Sequence, residues 1–323
     1  MTSCQNATGR PPPTATTPWT AQRRTASDKG VLQRAESARH FTLHRHAPGP
    51  AVADVVEGYW TVRWDLHGAE PYRSEVLPHP AVHLTVETGS PGEIRHGHGL
   101  PAGLVHGVVT RRFTIDLIGA GQVVGVKFRP GGFAALTGRP VAELRDRVVR
   151  LESVLGDDVG AVVAEVLALE QSAAAQEAAQ EAPGIAPLER VLSRLWGTRA
   201  RDPAYELLLE VVRGMLEDRD LTRVEQVGQR FAVTVRQLQR LFRHYVGVSP
   251  KWVLQRYRLH DAAWLLDEGR APDLAALATE LGWADQAHFG RDFAAVLGVP
   301  PGEYRTRAEQ ARAAAREGEH SAY

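Results

Sequence analysis

The spacing of hydrophobic and polar residues along the chain changes near Pro140. Between about residues 40 and 138, apolar and aromatic residues form short runs interrupted by Gly and Pro, as at 59–64, 82–86 and 122–128. Runs of this length and spacing are typical of a β sandwich or barrel. After Pro140 apolar residues recur every three or four positions, as in amphipathic helices, up to about residue 307. The pattern predicts an α+β protein, with a barrel- or sandwich-like β-rich domain followed by an all-α part.

Composition sets the outer limits of these parts. Residues 1–38 contain Pro11-Pro12-Pro13, many Thr and Ser and little apolar content, which predicts a disordered tail. We place the β-rich domain at 39–138, a helical connector at 139–218, an all-α domain at 219–307 and a frayed tail at 308–323.

The connector carries a stripe of apolar residues that is longer than one small domain needs to complete its hydrophobic core. It runs through Val141, Leu144, Val148, Leu151 and Leu155 and continues at 159–167. Two interpretations remain open: part of it forms a two-fold dimer contact, or it packs back on the β-rich domain.

Charge and cysteine content narrow the class of protein. Lys and Arg total 38, as do Asp and Glu, so net charge indicates no partner. The single cysteine, Cys4, excludes an internal disulfide, an all-cysteine zinc site and a Cys-X-X-Cys redox motif. No apolar run approaches the ~20 residues of a membrane helix. These features predict a cytoplasmic protein without a membrane partner.

The most informative feature of the chain is an internal sequence repeat with a constant offset. Residues of the first copy recur 51 positions later with the same or a similar side chain. The first copy is Leu238, Arg240, Phe242, Gly247, Val248, Pro250 and Val253, and the second is Phe289, Arg291, Phe293, Gly298, Val299, Pro301 and Tyr304. In each copy a shorter helix precedes a tight turn and this longer helix. The repeat therefore predicts two helix-turn-helix units in tandem.

Helical geometry divides the first long helix into two faces. Leu238, Leu241, Phe242 and Tyr245 share one side, and Arg236, Arg240 and Arg243 lie on the other. Between Leu221 and His260 there are eight basic residues and one acid, a net charge of +7: Arg223, Arg230, Arg236, Arg240, Arg243, Lys251, Arg256 and Arg258 against Glu225. A solvated basic face is the plain alternative. Such segregation in a neutral protein favours binding to double-stranded DNA.

Residues 221–307 resemble the tandem helix-turn-helix domain of AraC-type transcription regulators. The strings that carry the resemblance are Leu238-Gln239-Arg240-Leu241-Phe242, Gly247-Val248-Ser249-Pro250, Leu281-Gly282-Trp283-Ala284-Asp285 and Gly298-Val299-Pro300-Pro301. Residues 55–138 are similar to the sensor-side domain of an actinobacterial-type branch, through Tyr59-Trp60 and 125–133. The resemblance of residues 221–307 implies a transcription factor, whereas that of residues 55–138 implies no ligand. As further partners we expect a small-molecule effector, RNA polymerase and a second copy.

The resemblance also implies which residues face the bases. Helices 234–246 and 285–297 become the recognition helices, with Arg236, Gln239 and Arg240 in the first and Gln286, Ala287, Gly290 and Arg291 in the second. Arg243 extends the basic stripe. In the first unit, Gly228 occupies the position where the family usually has alanine, and Ala232 occupies that of the usual turn glycine. These two departures predict a turn that is slightly strained or reshaped. Residues 261–307 hold four bases and eight acids, so we expect the second unit to bind more weakly.

Other candidate chemistry in the β-rich domain is weaker. Five histidines (His79, His83, His96, His98 and His106) are interpreted as ordinary polar side chains, because no acidic ligand is evident beside them. We therefore expect no metal and no cofactor. Four aromatic residues (Trp60, Trp64, Tyr72 and Phe128) are interpreted as core, with an effector pocket as the alternative. Neither a phosphate-binding loop nor a Gly-X-Ser-X-Gly elbow is present, so no catalytic residue is predicted. The competing function is a metal-dependent β-barrel enzyme with an appended DNA-binding domain.

Overall fold

The computed structural model describes residues 30–32, 34–172, 182–218, 220–271 and 273–320. Its strands are β1 (Thr42–His46), β2 (Val56–Asp65), β3 (Tyr72–Val76), β4 (His83–Glu87), β5 (Ile94–Arg95), β6 (His98–Gly99), β7 (Ala102–His106), β8 (Phe113–Leu117), β9 (Ala120–Phe128) and β10 (Val148–Arg150). Its helices are α1 (Arg34–Ser37), α2 (Gly132–Thr137), α3 (Glu152–Leu155), α4 (Val159–Gln171), α5 (Ile185–Gly197), α6 (Pro203–Glu217), α7 (Val224–Arg230), α8 (Val235–Tyr245), α9 (Pro250–Asp267), α10 (Leu274–Glu280), α11 (Gln286–Leu297) and α12 (Pro301–His320), with a 3₁₀ turn at Val141–Leu144.

The predicted α+β architecture is confirmed. Six antiparallel strands form the main sheet in the order β1-β2-β9-β4-β7-β10, and β3 pairs with β8 in a second sheet. The runs at 59–64, 82–86 and 122–128 lie in β2, β4 and β9. All described helices from α4 onward follow the strands along the chain. Within the described ranges, no helix is both long and apolar enough to cross a membrane.

The start of the connector differs from the predicted continuous helix. After the 3₁₀ turn, Asp146 adopts a left-handed conformation with φ of 56°, and its carboxylate accepts hydrogen bonds from the backbone and hydroxyl of Thr110. This turn ends the helical path and sends Val148–Arg150 back to pair with β7 as β10. The β-rich domain therefore reaches Arg150 rather than residue 138.

The apolar stripe packs against other parts of the same chain. Val159, Val163 and Val166 on α4 are buried in the main core. The helix lies so close to β7 that a Cβ on Gly103 would come within 2.7 Å of the Val163 side chain. Of the two interpretations, the structure favours packing on the β-rich domain. A dimer contact remains a prediction, but the buried part of this stripe no longer supports it.

Both predicted tails are shorter than expected. Val31 forms a β-bridge with Val76, and the backbone N–H of Leu32 donates to the Glu75 carbonyl, so the folded domain includes residue 30 onward. At the other end α12 continues to His320, because its Ala- and Arg-rich sequence has high helix propensity. Ala308 is buried, and Arg312 donates to the carbonyl of Leu266. Residues 1–29 and 321–323 lie outside the described residues.

The tandem repeat appears in the structure as two helix-turn-helix units. Helices α8 and α11 begin at Val235 and Gln286, and α9 and α12 begin at Pro250 and Pro301, which keeps the offset of 51. The paired apolar residues Leu238/Phe289 and Phe242/Phe293 are fully buried. The shorter helices α7 and α10 begin 50 residues apart, because the turn of the second unit is one residue longer.

The turn of the first unit carries the backbone strain that its sequence predicts. Ala232 has a φ of 54°, whereas Gly282 occupies the equivalent bend with a φ of 80°. A Cβ on Gly228 would lie 2.7 Å from the Val233 carbonyl oxygen, so the absent side chain lets this turn pass close to α7. An L-residue in the left-handed region costs about 1–2 kcal/mol.

Replacing Ala232 by glycine is expected to stabilise the protein. The free energy gained by relieving the backbone strain exceeds the cost of the extra conformational entropy that glycine gives to the unfolded chain. Ala232→Gly should therefore raise the free energy of unfolding by about 0.5–1 kcal/mol. The matched control, Gly282→Ala, should lower it by about 1–2 kcal/mol, since its Cβ would lie 2.8 Å from Thr222 Cγ2. Urea denaturation of the three proteins measures both values. A loss of stability in Ala232→Gly would contradict the assignment of strain.

Candidate nucleic-acid interface

Helix α8 presents the predicted polar face to solvent. Thr234 caps it, with its hydroxyl accepting from the Gln237 N–H at 3.2 Å, and the Gln237 side chain returns to the Thr234 N–H at 2.8 Å. This capping box fixes where the helix begins. All four predicted contact residues of α8 are exposed: Arg236, Gln239, Arg240 and Arg243. The opposite face is buried through Leu238, Phe242 and Tyr245.

Helix α11 repeats this arrangement with smaller side chains. The Asp285 carboxylate accepts from the His288 N–H at 2.6 Å and caps the helix. Gln286, Ala287 and Arg291 are exposed, and Gly290 is half-buried with open space where a Cβ would stand. Phe289, Phe293 and Leu297 fill the inner face. The structure therefore brings each set of predicted residues onto one outward face.

Two of the eight counted basic residues do not face solvent. Arg256 is 1% exposed, and its guanidinium donates to the Thr110 carbonyl at 2.7 Å and to the Pro78 carbonyl at 3.4 Å. Half-buried Arg258 donates to the Leu281 carbonyl at 2.6 Å and lies over the Trp283 ring. The exposed charge of this unit is therefore smaller than +7, because only six of its bases are exposed: Arg223, Arg230, Arg236, Arg240, Arg243 and Lys251.

At least four of the eight acids of the second unit have structural partners. Asp273 and Asp285 cap α10 and α11. The Asp292 carboxylate accepts from Trp283 Nε1 at 2.9 Å, and that of Asp267 accepts from the Tyr304 hydroxyl at 3.0 Å. The excess of acid therefore arises from capping and packing, and it still opposes the approach of phosphates.

A second candidate site is a cavity of about 430 Å³ between the main sheet and the β3–β8 sheet of the β-rich domain. Its walls are mostly apolar. Trp60 and Trp64 line it, as the alternative interpretation held, whereas Tyr72 and Phe128 do not. Phe128 packs against Phe133 in the main core, and Tyr72 stacks on His40.

Polar side chains gather on one wall of the cavity. Lys127 Nζ contacts Glu57 at 2.9 Å, and the Trp60 indole donates to His83 Nδ1 at 3.3 Å. Burial lowers the pKa of His83 to about 3, so this ring is neutral at pH 7. Farther along β4, the Glu87 carboxylate contacts Thr85, Arg95 and His106.

The five histidines do not form a single cluster. His79 stacks on His260 at a centroid distance of 3.9 Å, and His98 contacts the Val148 carbonyl at 3.2 Å. His96 and His98 do not share a strand face, because His96-Gly97 forms the turn between β5 and β6 with positive φ at both residues. His96 and His106 instead meet Glu87, a carboxylate that the sequence analysis missed. The i, i+2 alternation of His83, Thr85 and Glu87 was the available signal.

Helix α9 connects the cavity wall to the two helix-turn-helix units. Pro78 and His79 line the cavity. On its other side this segment contacts α9, where His260 stacks on His79 and where Arg256 and His260 reach the Pro78 carbonyl. A ligand that displaced this segment would therefore act on the helix that sets the relative position of α8 and α11.

Two family models match separate parts of the chain. Residues 44–150 match a domain of unknown function (DUF6597), and residues 227–307 match a helix-turn-helix domain. The first match ends where β10 ends, and the second covers most of α7 through α12.

The curated relatives match over the C-terminal part only. An AraC-like transcription regulator of Streptomyces lividans is 37% identical over 82 residues, which is 25% of this chain and 27% of that protein. An uncharacterized helix-turn-helix-type transcriptional regulator of Haemophilus influenzae is 32% identical over 82 residues, with the same coverage. The chain thus spans about a quarter of the length of the curated relatives it matches.

Among solved structures, ToxT from Vibrio cholerae O395 is 13% identical with a TM-score of 0.37, covering 84% of this chain and 98% of that chain. A ToxT structure bound to an unsaturated fatty acid is 12% identical with a TM-score of 0.37, covering 86% and 95%. Residues 227–307 form a helix-turn-helix domain that is similar to those of AraC-like transcription regulators, and residues 44–150 match the DUF6597 family model.

Proposed function

We propose that the chain is a sequence-specific DNA-binding transcription regulator. The observation that carries the proposal is the equivalence of α8 and α11. Both begin at a side-chain cap, bury the same apolar positions and expose an arginine at the same repeat position, Arg240 and Arg291. Helices of this kind read base edges in the major groove of DNA.

The two units contribute differently to binding. Phosphate contacts from the exposed bases of the first unit set the affinity and the register on the duplex. Arg236, Gln239 and Arg240 supply base readout from α8, since Arg pairs with guanine and Gln with adenine. In α11, Gln286 and Arg291 are the polar readers, and Ala287 and Gly290 allow close approach to the bases.

The length of α9 suits two successive major grooves. Ser249 caps it through the Trp252 N–H at 3.2 Å, and Pro250 occupies its first turn. Its 18 residues span about 27 Å at 1.5 Å per residue. One turn of DNA is about 34 Å, so α8 and α11 at the two ends of α9 can reach neighbouring grooves on one face.

Selection from random DNA tests the proposed function. The purified full chain should enrich a defined sequence from a pool of random duplexes, and it should bind that sequence at least about 10³-fold more tightly than random DNA. Arg240→Ala should reduce this ratio. Equal affinity for selected and random duplexes at the same salt concentration would refute sequence-specific binding.

We further propose that the cavity binds a small-molecule effector. Its volume and apolar walls with a few convergent polar groups are typical of ligand sites, and Pro78–His79 supplies a route to α9. A cavity-filling variant, Val62→Trp, should abolish the effect of an effector on DNA affinity while leaving DNA binding without effector intact. Loss of DNA binding in a folded variant would contradict this separation. Contacts with RNA polymerase and a second copy remain predictions, and we expect no catalytic activity.

A further inference from the structure

We propose that Glu87, His96 and His106 bind a divalent transition-metal ion at the wall of the cavity. One ligand atom from each residue lies within 4.8 Å of the other two. Glu87 Oε1 and His106 Nε2 are 3.1 Å apart, about the separation of neighbouring ligands around an ion bound at 2.0–2.2 Å. This inference goes beyond the proposed function and does not depend on DNA binding.

His96 is held in place for such a role. Its Nε2 atom is buried and has no hydrogen-bond partner among the described residues. The residue adopts a φ of 53°, which places it at the tip of the β5–β6 hairpin with its ring at the cavity. The ring meets that of His106 edge-on, with centroids 4.9 Å apart. A buried imidazole nitrogen without a partner is costly, and coordination to a cation would satisfy it.

The surroundings of Glu87 support a bound cation. Arg95 Nη1 donates to Glu87 Oε2 at 3.0 Å, while Arg95 Nη2 donates to Glu93 Oε1 at 2.6 Å. One guanidinium thus faces two carboxylates, so these three groups together carry a single negative charge. The contact with Oε2 orients the carboxylate and leaves Oε1 toward the two histidines. Such support of a ligand by a neighbouring side chain is typical of metal sites.

The donor set selects the class of metal. Two imidazole nitrogens and one carboxylate oxygen suit Zn²⁺, Fe²⁺ and related ions, whereas Mg²⁺ and Ca²⁺ prefer oxygen ligands alone. Three protein ligands leave further coordination positions. Because the three residues line the cavity, we expect these positions to face it, available to water or to an oxygen or nitrogen donor of a ligand.

Binding must displace local hydrogen bonds. The Thr85 hydroxyl now contacts Glu87 Oε1 at 2.7 Å and His106 Nε2 at 3.0 Å. Rotation of this hydroxyl frees Glu87 Oε1, and a shift of the His106 ring proton from Nε2 to Nδ1 frees the second atom for the ion.

Metal titration of the untagged full chain tests the proposal. After treatment with chelator, the protein should bind one equivalent of Zn²⁺ by calorimetry, and Co²⁺ should give the visible absorption of a site with nitrogen ligands. Mg²⁺ should not compete. Substoichiometric Zn²⁺, or displacement of Co²⁺ by Mg²⁺, would overturn the assignment.

Two matched variants locate the site. His96→Asn keeps a residue that tolerates left-handed φ and should weaken Zn²⁺ affinity by more than about tenfold. The control His98→Asn lies on the same hairpin outside the cluster and should leave the affinity unchanged. Unchanged affinity in His96→Asn, or an equal loss in both variants, would overturn the proposal. Circular dichroism verifies folding, and DNA affinity of the same samples reports on the proposed function separately.

Discussion

Arg240→Ala is expected to weaken binding to every DNA sequence, whereas Arg291→Ala is expected to weaken binding only to the preferred sequence. Arg240 lies between Arg236 and Arg243 on an exposed basic face. Arg291 lies among small residues, in a unit whose acids outnumber its bases. If both arginines contact guanine, each substitution should cost about 1–3 kcal/mol at the preferred site and relax one position of it.

Salt dependence separates the two residues. Each phosphate contact adds about 0.9 to the slope of log affinity against log salt concentration. Arg240→Ala should therefore reduce that slope by about 1 on random DNA, where we expect Arg240 to contact a phosphate, and Arg291→Ala should leave it nearly unchanged. Fluorescence anisotropy at several salt concentrations gives both slopes. Equal slopes and equal losses of non-specific affinity would show that the division between the units is wrong.

Arg256→Ala is expected to destabilise the protein without changing the salt dependence of DNA binding. Its guanidinium is buried, bonds to the carbonyls of Pro78 and Thr110 and lies 4.4 Å from the Trp252 ring centroid. Burial lowers its pKa to about 10, so it remains charged at pH 7. Removing it leaves two carbonyls without this donor and creates a void, which should cost about 2–4 kcal/mol.

The matched control is Arg243→Ala, which removes an exposed arginine nearby. Its free energy of unfolding should change by less than about 0.5 kcal/mol, and its salt slope should fall. Urea denaturation and DNA titration of the two variants measure both quantities. A smaller stability loss in Arg256→Ala than in Arg243→Ala would contradict the structural role of Arg256.

Periodicity made the C-terminal domain predictable from the sequence. The 51-residue offset recurs in the structure, and the helices that it relates begin at side-chain caps, which are local features of the sequence: Thr234, Ser249 and Asp285. The count of basic residues predicted the exposed charge less well, because it does not show which side chains face solvent. Arg256 and Arg258 were counted like Arg240, yet tertiary contacts turn them inward.

The errors in the β-rich domain have a different origin. The spacing of Leu144, Val148 and Leu151 fits a helix as well as the observed turn and strand, and the contacts that distinguish them, Asp146 with Thr110 and β10 with β7, are distant in sequence. Glu87 and His106 lie 19 residues apart and meet because β4 pairs with β7. Contacts made by strand pairing across loops leave no local pattern in the sequence.

Hydroxyl-radical footprinting of the full chain on its selected DNA sequence tests the central claim, that α8 and α11 read one duplex together. Because α9 separates them by about 27 Å, two protected regions should appear on one face of the DNA, about 10 base pairs apart. Arg291→Ala should weaken one region only. A single protected region, or two regions on opposite faces of the duplex, would contradict the account.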